Sequence, residues 1–186
     1  MKLLKVLSGL CIIIITFVGC NDKSNAQKEL WPLKIGNQWI YKTMESDNLS
    51  EFEYDTLTVT KDTIINQKKW FMVEHTKWSS ISWILRYEND DLKLFRDDDD
   101  EILFLKYPDG IDNNIYLSEK GDTVKIIENV TTKIGDRKYN CIQYQFIDKS
   151  EFNPADGFYC VPGIGVVKYA VGGGQFMYLL EKYYIK

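Results

Sequence analysis

The chain has 186 residues, 45% of them apolar and 14% aromatic, with 23 basic against 27 acidic side chains and a net charge of −4. The acidic balance argues against a nucleic-acid binder, whose phosphate contacts need clustered Lys and Arg, and offers no basic patch for anionic lipid heads. The length suits one domain with its own core.

The first residues fall into three zones. Lys2 and Lys5 are followed by an apolar run, Leu7 to Val18, then by Gly19, Cys20 and the polar stretch Asn21 to Lys28. A membrane-crossing helix needs about 20 apolar residues. This run is shorter, and its positive, apolar, small-residue order is that of a secretory signal. The stretch Phe17-Val18-Gly19-Cys20 resembles the lipobox of bacterial lipoproteins. The resemblance implies cleavage after Gly19, with Cys20 as the first mature residue and the point of lipid attachment. In that family the cysteine carries a diacylglyceryl group on sulfur and an acyl chain on its new amino terminus, and the resemblance implies the same for Cys20. Stable anchoring takes more than one acyl chain, and this set supplies it. Removing residues 1–19 takes Lys2 and Lys5 away and moves the net charge from −4 to −6. The expected organisation is residues 1–19 as signal, 20–30 as lipidated cysteine and flexible tether, and 31–186 as a single β domain.

Past residue 30 no long segment sustains helical periodicity. Short runs rich in Tyr, Trp, Phe, Ile, Val and Thr alternate with Gly, Asn and Asp, the pattern of strands and turns. Strands are expected at 39–44, 52–65, 69–78, 81–88, 92–96, 102–107, 124–132, 138–147, 157–160, 165–171 and 175–185. Asn66-Gln67, Gly135-Asp136 and Gly172-Gly173-Gly174 mark tight connections, which make neighbouring strands antiparallel. The fold class is therefore mainly β: a strongly curved antiparallel sheet, half-barrel or open barrel, built from hairpins. Two of these hairpins, IINQKKWFMV at 64–73 and TKIGDRKYNCI at 132–142, superpose at a constant offset of 69. A duplicated half and two independent hairpins sharing one pattern both explain this, the second more simply.

Two further stretches, Pro32-Leu33-Lys34-Ile35-Gly36-Asn37-Gln38-Trp39-Ile40-Tyr41 and Pro162-Gly163-Ile164-Gly165-Val166-Val167-Lys168, resemble the opening and closing motifs of secreted proteins and lipoproteins frequent in Bacteroidetes. That resemblance implies a curved antiparallel sheet similar in outline to periplasmic lipoprotein-carrier half-barrels. It brings no activity with it.

Candidate chemistry is sparse. His75, the single histidine, shares a strand face with Phe71, Val73 and Lys77, while Glu74 points the other way. It reads as a structural or surface residue. No HExxH, CxxC or GxSxG motif is present, and a Cys141–His75 nucleophile pair has little support. The acids of 96–101 and of 107–114 read as hairpin tip and turn, with calcium the lesser reading. Cys141 and Cys160 are either a disulfide or two unpaired, buried strand cysteines. No metal or cofactor is expected. The aromatic load, including Trp31, Trp39, Trp70, Trp78 and Trp83, serves either a packed core or a ligand groove.

These readings converge on a non-enzymatic lipoprotein of the bacterial cell envelope, anchored to a membrane through Cys20. Its role is expected to be binding or carriage of an apolar or extended ligand. The alternative is structural, docking to a protein complex of the envelope. Its partners are the membrane and either a small apolar ligand or an envelope protein, and not nucleic acid.

Overall fold

The computed structural model describes residues 28–45, 48–77, 82–95, 100–110, 115–117, 123–147, 157–171 and 175–186. Gly19 and Cys20 lie outside the described residues, as do Trp78, Asp112 and Asn114. The elements are β1 (Gln38–Glu45), β2 (Asn48–Ile65), β3 (Lys68–His75), β4 (Ser82–Glu88), β5 (Asp91–Phe95), β6 (Glu101–Leu105), β7 (Ile115–Leu117), β8 (Thr123–Ile134), β9 (Arg137–Phe146), β10 (Gly157–Val161), β11 (Gly165–Val171) and β12 (Phe176–Tyr184). Eleven of them match the expected strands. The twelfth, β7, is only three residues long, too short to show any alternation of its own.

All twelve form one antiparallel sheet in the order β6-β5-β4-β3-β2-β1-β12-β11-β10-β9-β8-β7. Two six-stranded meanders therefore meet where β1 pairs β12. The edge strands β6 and β7 are not laddered together, so the sheet curls without closing. Side chains bridge the seam instead. The Tyr116 hydroxyl donates to the Phe104 carbonyl at 3.1 Å, and the Tyr144 hydroxyl to the Lys106 carbonyl at 2.7 Å. Both carbonyls sit on or just after β6, where an edge otherwise invites a foreign strand.

The hairpins β2–β3 and β8–β9 match closely. Each turns on two residues with positive φ at the first, Asn66-Gln67 and Gly135-Asp136. Each carries a bulge at the corresponding place, with Lys61 opposite Met72 and Val130 opposite Cys141. The extra residues, Thr60 and Asn129, are again 69 apart. A shared register, bulge and position within each meander is what a duplicated half produces, and it shifts the balance away from two independent hairpins.

Alternation along the strands sends one set of side chains into the concave face. Leu57, Val59, Val73, Leu85, Leu92, Leu105, Val124, Tyr144, Val167 and Leu180 are buried there. The curl brings the two meanders' concave faces together. Trp83 of β4 lies 6.5 Å from Tyr169 of β11, and Phe104 of β6 lies 5.4 Å from Phe158 of β10, ring centre to ring centre. Edge-to-face contacts of this kind add about 0.5–1.5 kcal/mol each beyond burial.

Candidate functional site

The two family-like motifs meet in space. Residues 28–37 form a strap across one end of the curled sheet. Leu30 and Trp31 are fully buried, so the folded domain begins before residue 31 and the expected tether, 20–30, is shorter than its sequence implied. The Tyr87 hydroxyl accepts from the Trp31 amide at 2.6 Å and donates to the Trp31 carbonyl at 3.1 Å. Burial pushes that phenol well above its ordinary pKa, so it stays protonated and able to donate. The Glu29 carbonyl accepts from the Gly163 amide. The Trp39 indole donates to the Ile164 carbonyl at 2.5 Å and the Tyr41 hydroxyl to the Val166 carbonyl at 2.7 Å. Gly165, at φ +111, lies against the Trp31 indole, where any Cβ would overlap the ring. Asn37 is fully buried, donates to the Pro32 carbonyl at 2.9 Å and accepts from the Lys186 amide at 3.0 Å. The motifs thus belong to a joint that plugs one end of the sheet.

Toward the opposite end of β2 and β3 lies the polar group inside the concave face. His75 is buried beside Val73, as the strand alternation predicts. Its Nδ1 lies 2.8 Å from a carboxylate oxygen of Asp55, which is fully buried. Asp55 also accepts from the Lys77 amide at 3.0 Å and the Thr76 hydroxyl at 3.3 Å. Burial raises the Asp55 pKa, but these donors and the nearby imidazole outweigh it and hold the carboxyl below its usual range. His75 Nε2 is buried with no hydrogen-bond partner among the described residues, and the ring stands edge-on to Trp83 at 4.8 Å. Around them Tyr169 and Tyr178 stack in parallel at 4.2 Å, and Tyr41 stands edge-on to Tyr169 at 5.4 Å.

Sequence reasoning missed Asp55. The signal was present: Asp55, Leu57 and Val59 alternate on one face, so an acid held an inward position. A carboxylate, an imidazole and an open Nε2 are two-thirds of a nucleophilic triad. The third part is not supplied, since no hydroxyl or thiol bonds to Nε2 among the described residues.

Cys141 and Cys160 are unpaired and buried. Of the two readings of these cysteines, the disulfide is the one the structure overturns. Cys160 pairs in register with Ile142, so Cys141, one residue earlier, points to the other face of the sheet. Burial pushes the Cys141 thiol up to about 11, which leaves it a poor nucleophile. The Cys160 thiol is pushed up further by burial.

The acidic stretches also serve the fold where they are described. Glu101 begins β6 and takes Lys68 at 2.8 Å and Arg86 as ion-pair partners. Arg86 in turn covers the Trp70 ring. An open polar cleft of about 590 Å³ lies beside Lys28, Asp90, Asp91, Lys106, Tyr107 and Asp109. Its carboxylates are engaged: Asp90 accepts from the Lys28 amide, Asp91 from the Tyr107 amide, and Asp109 pairs Lys106. Among the described residues no group of three His, Cys, Asp or Glu side chains is placed to hold a metal ion.

Neither the known protein families nor the curated proteins include a sequence match to this chain. Solved structures do match. A "putative lipoprotein" from Parabacteroides distasonis ATCC 8503 superposes with a TM-score of 0.54 at 11% identity, covering 84% of this chain and 99% of its own. A "putative exported protein with YmcC-like fold" from Bacteroides fragilis NCTC 9343 gives a TM-score of 0.51, also at 11% identity, covering 83% and 98%. At that identity the likeness concerns the backbone, and the curved antiparallel sheet of this chain is one that exported proteins of these bacteria also adopt.

Proposed function

We propose that the protein is a lipoprotein of a bacterial cell envelope, anchored through Cys20, with a non-enzymatic role exercised by docking to another envelope protein. The anchor rests on the Phe17–Cys20 lipobox, and the naming of one structural neighbour as a lipoprotein and another as exported is in keeping with it. The observation that favours docking over carriage of an apolar ligand is the run of aromatic contacts across the concave face. Trp31, Trp39, Trp83, Phe104, Phe158 and Tyr169 touch ring to ring where a carrier keeps an apolar cavity. The strap residues Leu30 and Trp31 fill the space at one end of it.

The test is a native mass spectrum of the full protein purified from its own membrane in mild detergent. The expected result is the acylated chain bound to a second protein subunit. A small non-covalent mass that survives washing restores the carrier reading. Cys20→Ala is expected to abolish acyl labelling; a variant that still carries acyl chains removes the anchor from the proposal.

A further inference from the structure

The strap end gathers side chains that are far apart in the sequence. The Lys186 amide bonds Asn37, and Tyr184 pairs Gln38 across β12 and β1. This brings the chain's last residues against residues 34–37. Three large apolar side chains stand exposed there: Ile35 at 46%, Tyr184 at 45% and Ile185 at 38%. Lys34 adjoins them in sequence, Lys186 lies over Gly36, and the Lys182 ammonium sits 4.8 Å above the Tyr184 ring. None of these lysines is in an ion pair among the described residues. Glu181, the acid of the 176–186 stretch, lies within the field of Arg137 on β9. The composition of the chain offers no such patch; the β1–β12 pairing assembles one.

We infer that this strap end faces the membrane, with Ile35, Tyr184 and Ile185 seated among the headgroups of an anionic phospholipid bilayer and Lys34, Lys182 and Lys186 on their phosphates. The inference rests on the lipid-anchored reading. The chain outside the described residues supports it. The first described residue is Lys28, at the strap end, held to Asp90 of the β4–β5 turn. From Cys20 to Lys28 there are eight residues, which at full extension reach about 28 Å. An acylated Cys20 therefore keeps the strap end close to the bilayer surface. The chemistry of the patch suits that surface. Tyrosine favours the water–lipid boundary, isoleucine the start of the acyl region, and lysine stems lie along apolar surface while their ammonium groups reach phosphate.

The test uses the full acylated chain in phosphatidylethanolamine–phosphatidylglycerol vesicles carrying nitroxide lipids. A solvent-sensitive fluorophore is placed on Ile185→Cys, Ile35→Cys or, on β2 toward the opposite end, Phe52→Cys. Cys141 and Cys160 are buried and stay unlabelled. The expected result is a blue shift and several-fold stronger quenching at 185 and 35 than at 52, reduced by Lys182→Glu with Lys186→Glu. Equal quenching at the three sites, or solvent-like emission at 185 in an acylated chain, overturns the orientation alone. A chain that carries no acyl mass overturns the anchored reading and the orientation with it.

Discussion

The hairpins β2–β3 and β8–β9 have two-residue turns at matching positions, the same bulge and the same register, yet they enclose different chemistry. Leu57 faces His75 in one, and Ile126 faces Tyr144 in the other. The diagonal neighbour is Asp55 in the first and Val124 in the second, both fully buried. One half therefore closes its concave face with a charged hydrogen-bonded pair. The other uses an apolar contact and a hydroxyl that reaches out to the Lys106 carbonyl on the far edge of the sheet. Turns and bulges set the backbone frame in both. The inward residues are free to differ as long as buried polar atoms are satisfied, and the first half falls short of that at His75 Nε2, as it does at Trp31 Nε1, Thr60 Oγ1 and Arg86 Nε.

The largest expected effect comes from making the first half resemble the second. Asp55→Val removes the acceptor of His75, Thr76 and the Lys77 amide, and is expected to cost about 3–5 kcal/mol in urea unfolding, the range for breaking a buried pair from one side. Adding His75→Tyr reproduces the residues of the second half, and the double variant is expected to lose less than the two single variants added together, by about 0.5–3 kcal/mol. Strict additivity would mean that the two side chains do not act as a pair.

A smaller loss, about 1 kcal/mol, is expected for Tyr144→Phe, because the half-buried Lys106 carbonyl loses its donor. Its thermal midpoint should fall while the β8–β9 register, followed by amide exchange, stays in place. The turns give effects of opposite sign. Gln67 has φ 61 and pays for a left-handed backbone that glycine adopts freely, whereas Gly135 at φ 57 already has that freedom. Gln67→Gly is expected to stabilise, and Gly135→Ala to destabilise, each by about 1 kcal/mol. At the offset of 69 the counterpart of Gln67 is Asp136, which lacks its positive φ, so each variant tests its own turn, and thermal shifts of the same sign in both would contradict these backbone conformations.

The last prediction concerns acid. Asp55 is held low in the folded state, so its contribution to stability is complete above its unfolded pKa of about 3.9 and is lost as pH falls through the depressed folded value. Unfolding midpoints measured below about pH 4 should fall with pH, and fall less steeply in Asp55→Asn. Some slope remains in that variant, because Lys68 and Arg86 hold Glu101 low against its burial. An unchanged slope would show that Asp55 is not the carboxylate responsible.

The strands and hairpins were legible in the sequence because their signals are local. Alternation in Leu57, Val59 and Val73 needs only neighbouring residues, and Asn66-Gln67 and Gly135-Asp136 mark their own turns. The offset of 69 between the hairpins was visible too, though only the matching bulges and the strand order give it weight. β7 was lost because three residues carry no period. The concave placement of His75 followed from alternation, but its partner did not: Asp55 is 20 residues away, and only the β2–β3 register puts the two on one diagonal. The separation of Cys141 from Cys160 by the sheet itself depends in the same way on the β9–β10 register.

By itself, then, the sequence determined the β class and the hairpin rhythm, each written in a window of a few residues. Tertiary structure alone decided that Trp31 packs on Gly165, that Lys34 and Lys186 share a surface, and that aromatic rings of the two meanders meet across the concave face. Those contacts join residues up to about 150 positions apart. Their geometry comes from the curl of the whole sheet, which no local pattern of side chains specifies.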